Sequence, residues 1–137
     1  MKDKARMPRP RSALIVDDEP HVRVYLRMLL KQLGIEQIWE ASDGLQAVEM
    51  FRIEHPEVVL LDIVMPGQLG PNVVDDLRRI DPDVSVIVVT SQIAIKTVED
   101  MHSKGAIAYV LKHTPRDQMV KMLAEALDGV DPAPNKK

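Results

Sequence analysis

Five side chains carry the chemistry open to this chain: Asp17, Asp18, Asp62, Thr90 and Lys112. Each stands at the end of a short apolar run. LIV at 14–16 leads into Asp17-Asp18-Glu19, VVLL at 58–61 into Asp62, VIVV at 86–89 into Thr90, and AYVL at 108–111 into Lys112. If those runs are neighbouring parallel strands, their carboxyl ends share one rim, which is where open α/β sheets place ligands and chemistry. Three carboxylates brought together repel one another, and a hard divalent cation resolves the conflict. Mg²⁺ prefers oxygen ligands and is typically held by one or two carboxylates plus a phosphate. A lysine adds a point charge suited to a phosphoryl oxygen, and a threonine hydroxyl can donate to another. A carboxylate can itself accept a phosphoryl group as an acyl phosphate. Metal and lysine would then neutralise charge on the transferring group.

The elements that must position these groups are legible in order. Ala13–Val16 is a buried strand by its length and its Ile/Val content. Pro20 suits a first helical turn, Val22, Leu26, Leu29 and Leu33 recur at helical spacing, and Gly34 is a stop. Ile35–Ala41 is a second strand, less apolar and so near an edge. Asp43 caps the next helix with Gln46 three residues on, Leu45, Val48 and Phe51 form its inward stripe, and His55-Pro56 ends it. Val58–Asp62 is the third strand, followed by the short Met65-Pro66-Gly67 loop. A helix opening at Gly70-Pro71 turns Val73, Val74, Leu77 and Ile80 inward. Val84–Val89 is the fourth strand, and a thinly apolar helix follows over 95–103. Ala108–Leu111 is the fifth strand. Thr114, Pro115 and Asp117 supply cap, first turn and acid for a last helix that faces Met119, Met122, Leu123 and Leu127 inward. Five strand–helix repeats predict an α/β fold, a parallel sheet with helices on both faces and right-handed crossovers.

Composition bounds the alternatives. The chain has 137 residues, 45% apolar and 28% charged, which describes one globular domain of ordinary size. A net charge of −3 is too mild to make nucleic acid or an anionic membrane the main partner. With no cysteine, disulfides, thiolate catalysis and cysteine-ligated metals are excluded, and a cytoplasmic setting is permitted. No apolar run approaches the roughly 18 residues of a membrane span. Residues 1–11 are expected to form a basic flexible arm, 12–129 the domain, and 130–137 a disordered tail. Trp39, on the edge strand, is a packing residue or a partner contact. His21, His55 and His102 show no metal spacing.

Taken together, LIVDDEP at 14–20, ASDGLQAVE at 41–49, VVLLDIVMPG at 58–67 with Gly70, VIVVTS at 86–91 and AYVLKH at 108–113 resemble a response-regulator receiver domain of two-component signalling, of the chemotaxis-regulator type. The resemblance runs from about Ala13 to Leu127. It implies a flavodoxin-like doubly wound (βα)5 fold with strand order 2-1-3-4-5. It implies that Asp62 is the phosphoacceptor and that Asp17, Asp18 and Asp62 bind Mg²⁺ or Mn²⁺ with the backbone of Val64. It further implies that Thr90 is the switch hydroxyl, Lys112 the phosphate-binding lysine and Tyr109 the aromatic that follows Thr90. The phosphodonor would be a phosphohistidine on a histidine kinase or a phosphotransfer protein. The signal would leave through the face made by the fourth helix, fifth strand and fifth helix, on a monomer or a weak phosphorylation-dependent dimer. Such a domain is a signalling module rather than an enzyme with other substrates. Nothing after Gly129 is long enough to form a DNA-binding unit, so binding to a protein is the output expected of this chain.

Two departures from the family pattern bear on function. The lysine is usually followed by proline in a cis bond, whereas His113 follows Lys112. A cis bond before a non-proline residue costs about 3–4 kcal/mol, so the Lys112–His113 bond is either trans with a rearranged loop or cis at that cost. Val64, two after Asp62, cannot hydrogen-bond an attacking water, whereas Gln92, two after Thr90, can. Slow self-dephosphorylation is expected, with Val64 and Gln92 as the positions that tune it. The alternative is a degenerate receiver that binds partners without phosphorylation. An aspartyl phosphatase of the haloacid-dehalogenase type needs a second acid two residues after the nucleophile, where Val64 stands.

Overall fold

The computed structural model of the chain describes residues 9–65, 68–91 and 95–130. Gln92, Pro66, Gly67 and the segments 1–8 and 131–137 lie outside the described residues. Strands β1 (Ser12–Val16), β2 (Gln37–Ala41), β3 (Val58–Leu61), β4 (Ser85–Thr90) and β5 (Ala106–Leu111) alternate with helices α1 (Pro20–Gln32), α2 (Gly44–Glu54), α3 (Gly70–Ile80), α4 (Ile95–Ser103) and α5 (Arg116–Asp128). All neighbouring strands of the five-stranded sheet pair in parallel, and their spatial order is β2-β1-β3-β4-β5. This is the expected 2-1-3-4-5 order. Residues Val64–Met65 and Gln68–Leu69 add a small antiparallel ladder just beyond β3.

The apolar runs are continuous because both faces of the sheet are covered. Side chains alternate along each strand. Ala13, Ile15, Val58, Leu60, Ile87 and Val89 pack against Leu26, Leu29 and Leu30 of α1 and against Met119, Leu123 and Leu127 of α5. Leu14, Val16, Val59, Leu61, Val86 and Val88 pack against Phe51 of α2, Val73, Val74 and Leu77 of α3 and Met101 of α4. Each such Leu or Val, fully buried, contributes about 1.5–3 kcal/mol. The two layers hold the strand ends to a fixed level at the rim.

Local expectations and structure part company at a few places. Leu45, expected on the inward stripe of α2, is 77% exposed. At about 100° per residue it lies about 120° around the helix from Phe51, and the buried face is Gly44, Ala47 and Phe51 instead. Met122 on α5 is 37% exposed, whereas Met119 is buried. Thr114 does not cap α5: its hydroxyl donates to Leu111 O at 2.7 Å, and the helix begins at Arg116 after Pro115. β5 starts at Ala106, two residues before the expected start. Residues 9–11, expected within the arm, are bonded to the domain. Arg9 Nε donates to Asp128 Oδ1 at 2.8 Å, and Arg11 O accepts from Gln37 N at 3.0 Å. His55 ends α2 as expected before Pro56, and it does so in the left-handed region at φ 51°, with its N–H on Phe51 O at 2.9 Å.

Candidate functional site

The rim at the carboxyl ends of β1, β3, β4 and β5 is built by one extra ladder bond at each strand end. Asp17 N donates to Ala41 O at 3.1 Å, Asp62 N to Val16 O at 2.9 Å, and Lys112 N to Thr90 O at 2.8 Å. Each site residue is the first one past its strand, yet its peptide is fixed by the last residue of the neighbouring strand. Parallel pairing thus sets the level of the side chains. Val16 sits opposite Leu61, which sits opposite Val88, so Thr90 stands two residues further out than the end of β3.

Lys112 is the hub. Its Nζ donates to Asp62 Oδ2 at 2.8 Å and to Glu19 Oε1 at 3.1 Å, and it stands 2.9 Å from Asp17 Oδ2. The lysine side chain is 9% exposed, that of Asp17 1% and that of Asp62 2%. The Lys112–His113 bond is trans, as no cis peptide occurs among the described residues. The lysine therefore reaches the acids without the proline turn the family pattern uses. Burial alone would lower the Lys112 ammonium's pKa, but Asp62, Asp17 and Glu19 outweigh burial and hold it above the ordinary lysine value. Burial pushes the Asp17 carboxyl up, against the lowering effect of Lys112 and of the Glu19 N–H, which donates to Asp17 Oδ1 at 2.9 Å. Glu19 is held below the ordinary glutamate value by Lys112.

One ammonium faces more negative charge than it can satisfy. Carboxylate oxygens of Asp17, Asp18 and Asp62 lie within 4.8 Å of one another. Asp17 Oδ2 is buried, and although Lys112 is near, no donor among the described residues is aligned for a hydrogen bond to it. A buried carboxylate oxygen in that state is costly unless another cation reaches it. Oxygens around one Mg²⁺ are at most about 4.2 Å apart, twice the 2.0–2.1 Å bond length. The trio therefore fits a hard divalent cation with slight contraction. Val64 N donates to Asp62 Oδ1 at 2.9 Å, fixing the second oxygen of that carboxylate.

The structure brings Asp17, Asp18, Asp62 and Lys112 together as expected. Thr90 is fully buried at the end of β4, and its carbonyl carries the Lys112 peptide. Tyr109, opposite Val88, packs on the α2–α4 side of the sheet. Its hydroxyl is buried without a hydrogen-bond partner among the described residues, and burial raises its pKa. It lines a cavity of about 210 Å³ with Val98 and His102. Two participants were not singled out from the sequence. Glu19 was read only as part of an acidic loop, though its place directly after the acid pair was the available signal. Arg23, whose NH1 donates to Asp17 O at 2.6 Å, gives no signal until β2 is placed beside β1. Next to the acids, a cleft of about 480 Å³ is lined by Glu19, His21, Tyr25, Ser91, Lys112 and His113.

Comparison with known proteins matches this geometry. The family model described as a response regulator receiver domain covers residues 13–124. The chain is 34% identical over 105 residues to transcriptional regulatory protein PdtaR of Mycobacterium tuberculosis, covering 75% of this chain and 50% of that protein. It thus spans about half the length of that relative. It is 29% identical over 115 residues to chemotaxis protein CheY of Bacillus subtilis, covering 84% of this chain and 96% of that protein. Among solved structures, the CheX-CheY-BeF3-Mg complex from Borrelia burgdorferi aligns with a TM-score of 0.78 at 26% identity, over 85% of this chain and 88% of that one. A CheY-like receiver domain protein from Methanospirillum hungatei shares the fold, with a TM-score of 0.77 at 23% identity over 87% of this chain and 94% of that one. The five strand-end residues, the strand order and the family match over most of the chain agree: this protein belongs to the response-regulator receiver family of two-component signalling.

Proposed function

We propose that the chain accepts a phosphoryl group on Asp62 from a phosphohistidine of a histidine kinase or phosphotransfer protein. The observation that carries this reading is the Lys112 ammonium 2.8 Å from Asp62 Oδ2, beside the under-neutralised Asp17 and Asp18. One carboxylate oxygen of Asp62 attacks the phosphorus. The O–P bond forms, the P–N bond to the donor imidazole breaks, and the departing nitrogen takes up a proton. Asp17, Asp18 and Asp62, with the Val64 carbonyl, would hold Mg²⁺ or Mn²⁺. When bound, that ion supplies charge neutralisation on the phosphoryl oxygens. The Borrelia burgdorferi relative was solved as a complex with BeF3 and Mg, which supports a divalent cation beside the acid here. Lys112 moves its ammonium from Asp62 to a phosphoryl oxygen, a short step for a flexible stem. Val64 N–H continues to hold one Asp62 oxygen and so orients the acyl phosphate.

The signal then leaves the rim through Thr90 and Tyr109. The Thr90 hydroxyl donates to the new phosphoryl oxygen, and Tyr109, whose hydroxyl has no hydrogen-bond partner among the described residues, can exchange one position for another. Cavities of about 210 Å³ and 270 Å³ flank Tyr109 on either side of β5. Ile107 and Met122, 43% and 37% exposed, add apolar surface there. A protein partner would read this face of α4, β5 and α5. Among the described residues no helix is long and apolar enough to cross a membrane, which is compatible with a cytoplasmic site of action. The chain's own chemistry would be limited to its phosphorylation and dephosphorylation.

Incubation with Mg²⁺ and acetyl phosphate, read by mass spectrometry, tests the reading. One phosphoryl group, acid-stable and alkali-labile, is expected on wild type and none on Asp62→Asn. An unmodified wild type, with partner binding unchanged by beryllofluoride, would replace it with a phosphorylation-independent binding module.

A further inference from the structure

Two arginines one helical turn apart on α1 reach the same carboxylate on β2. Arg23 Nε donates to Glu40 Oε1 at 3.1 Å, and Arg27 Nε donates to Glu40 Oε2 at 2.7 Å. Each then places one terminal nitrogen on a main-chain carbonyl. The two differ in which carbonyl that is. Arg27 NH2 donates to Ile38 O at 3.1 Å, within β2, whereas Arg23 NH1 donates to Asp17 O at 2.6 Å. Arg23 is also the more buried, its side chain 16% exposed against 36% for Arg27.

This contact closes a ring around one acid of the rim. Asp17 N is held by Ala41 O, the residue after Glu40, and Asp17 O is held by Arg23, which is held by Glu40. Asp17 Oδ1 is occupied by Glu19 N–H. With both peptide groups and one oxygen fixed, the remaining oxygen, Oδ2, points to Lys112 and to the space shared with Asp18 and Asp62. Charge-assisted hydrogen bonds from a forked guanidinium fix direction as well as position. Outer partners of this kind orient metal ligands, and their loss costs about 10–100-fold in metal affinity.

We propose that Arg23 is a positioning residue for the cation site, holding Asp17 so that Oδ2 faces the bound ion. The inference rests on the reading of Asp17, Asp18 and Asp62 as the cation ligands. A plain structural staple is the competing account, and Arg27 is its built-in control. Arg23→Gln and Arg27→Gln each remove one positive charge from the same carboxylate; the Arg23 charge is the nearer to Asp17, so by electrostatics alone its loss would strengthen cation binding, the opposite of what lost positioning predicts.

The test is Mn²⁺ binding by electron paramagnetic resonance and Mg²⁺ binding by calorimetry on the whole chain, with thermal melts in EDTA alongside. Both variants are expected to melt lower by a similar amount. Only Arg23→Gln is expected to bind the ion more weakly, by about tenfold. Arg23→Lys keeps the charge but lacks the fork, so it is expected to fall between wild type and Arg23→Gln. Equal dissociation constants for Arg23→Gln and Arg27→Gln would overturn the inference. So would a wild-type value for Arg23→Lys, which serves as the test if the glutamine variant does not fold. A wild type that binds neither ion would overturn the cation reading itself, and this inference with it.

Discussion

Lys112→Met removes the cation that, among the described residues, contacts both buried carboxylates, while keeping a stem of similar length. The Lys112, Asp17 and Asp62 side chains are 9%, 1% and 2% exposed, so the acids would be left unpaired away from water. Removing one partner of a buried pair costs about 3–5 kcal/mol. The rim is open on one side and the acids can protonate, so we take the low end, about 3 kcal/mol. For a domain of about 120 residues, at about 2.1 cal/mol/K per residue, that is a drop in melting temperature of roughly 12 °C. Burial already holds the Asp17 carboxyl above its ordinary value of 3.8. A raised acid pKa means that the charged form is disfavoured in the fold. The deficit is therefore largest at neutral pH and shrinks as pH falls through the raised value toward 3.8. Metal should reverse the loss. In wild type the lysine competes for the oxygens that a cation would use, and in the variant it does not. A tenfold gain in Mg²⁺ affinity appears as about 1.4 kcal/mol of additional stabilisation at saturation. The assay is thermal denaturation followed by circular dichroism, in EDTA and in Mg²⁺, at pH 7.5 and pH 5. A variant melting within about 2 °C of wild type in EDTA, or gaining no more from Mg²⁺ than wild type does, would refute the view of Lys112 as the rim's resident counter-ion.

Asp18→Asn removes a repelling charge that Lys112 does not contact, so metal-free stability should rise by up to about 1 kcal/mol while Mg²⁺ binding weakens severalfold. A urea titration and calorimetry read the two effects, and a loss of stability would contradict the repulsion argument. Val64 is 45% exposed, so Val64→Asn should leave stability within about 0.5 kcal/mol. It should also shorten the acyl-phosphate half-life by giving the attacking water a hydrogen-bond partner. Equal half-lives would remove Val64 as a determinant of lifetime. Burial alone would raise the Glu40 carboxyl, but hydrogen bonds from Arg27 and Arg23 outweigh it and hold the group below its ordinary 4.5. Wild type should therefore exceed Glu40→Gln in stability by about 1–2 kcal/mol at pH 7. That margin should disappear as pH falls below 4.5 through the lowered value, as measured by urea denaturation at pH 7 and pH 3.5. A margin that persisted at the lower pH would mean that the ion pairs contribute little.

Much of the molecule was legible in the chain as a string of residues. The apolar runs before Asp17, Asp62, Thr90 and Lys112 announced buried strands, because a strand covered on both faces needs side chains that are apolar without alternation. Pro20, Gly34, Asp43 and Pro56 marked helix ends, because their backbone and side-chain chemistry acts within a few residues. The five site residues at strand ends followed from that periodicity and one assumption, parallel pairing. What failed was finer in angle than the pattern itself. The inward face of α2 turned on whether Gly44 and Ala47 or Leu45 met the sheet, and small residues carry little weight in a hydrophobic stripe. Thr114 has the residue type of a cap, but its hydroxyl donates to a carbonyl three residues back.

The sequence by itself determined which groups stand at the strand ends and what chemistry such a set can do, since strand length and residue type are local properties. Only the tertiary structure decided how they are held. The bonds from Asp17 to Ala41, Asp62 to Val16 and Lys112 to Thr90 join residues 22 to 46 positions apart. They exist only once the strands lie side by side. The reach of Lys112 to Glu19 across 93 positions, and of Arg23 to both Asp17 and Glu40, likewise depends on two elements meeting in space. No spacing rule along the chain encodes such contacts, because the distances that matter are set by the packing of α1 and the level of the neighbouring strands.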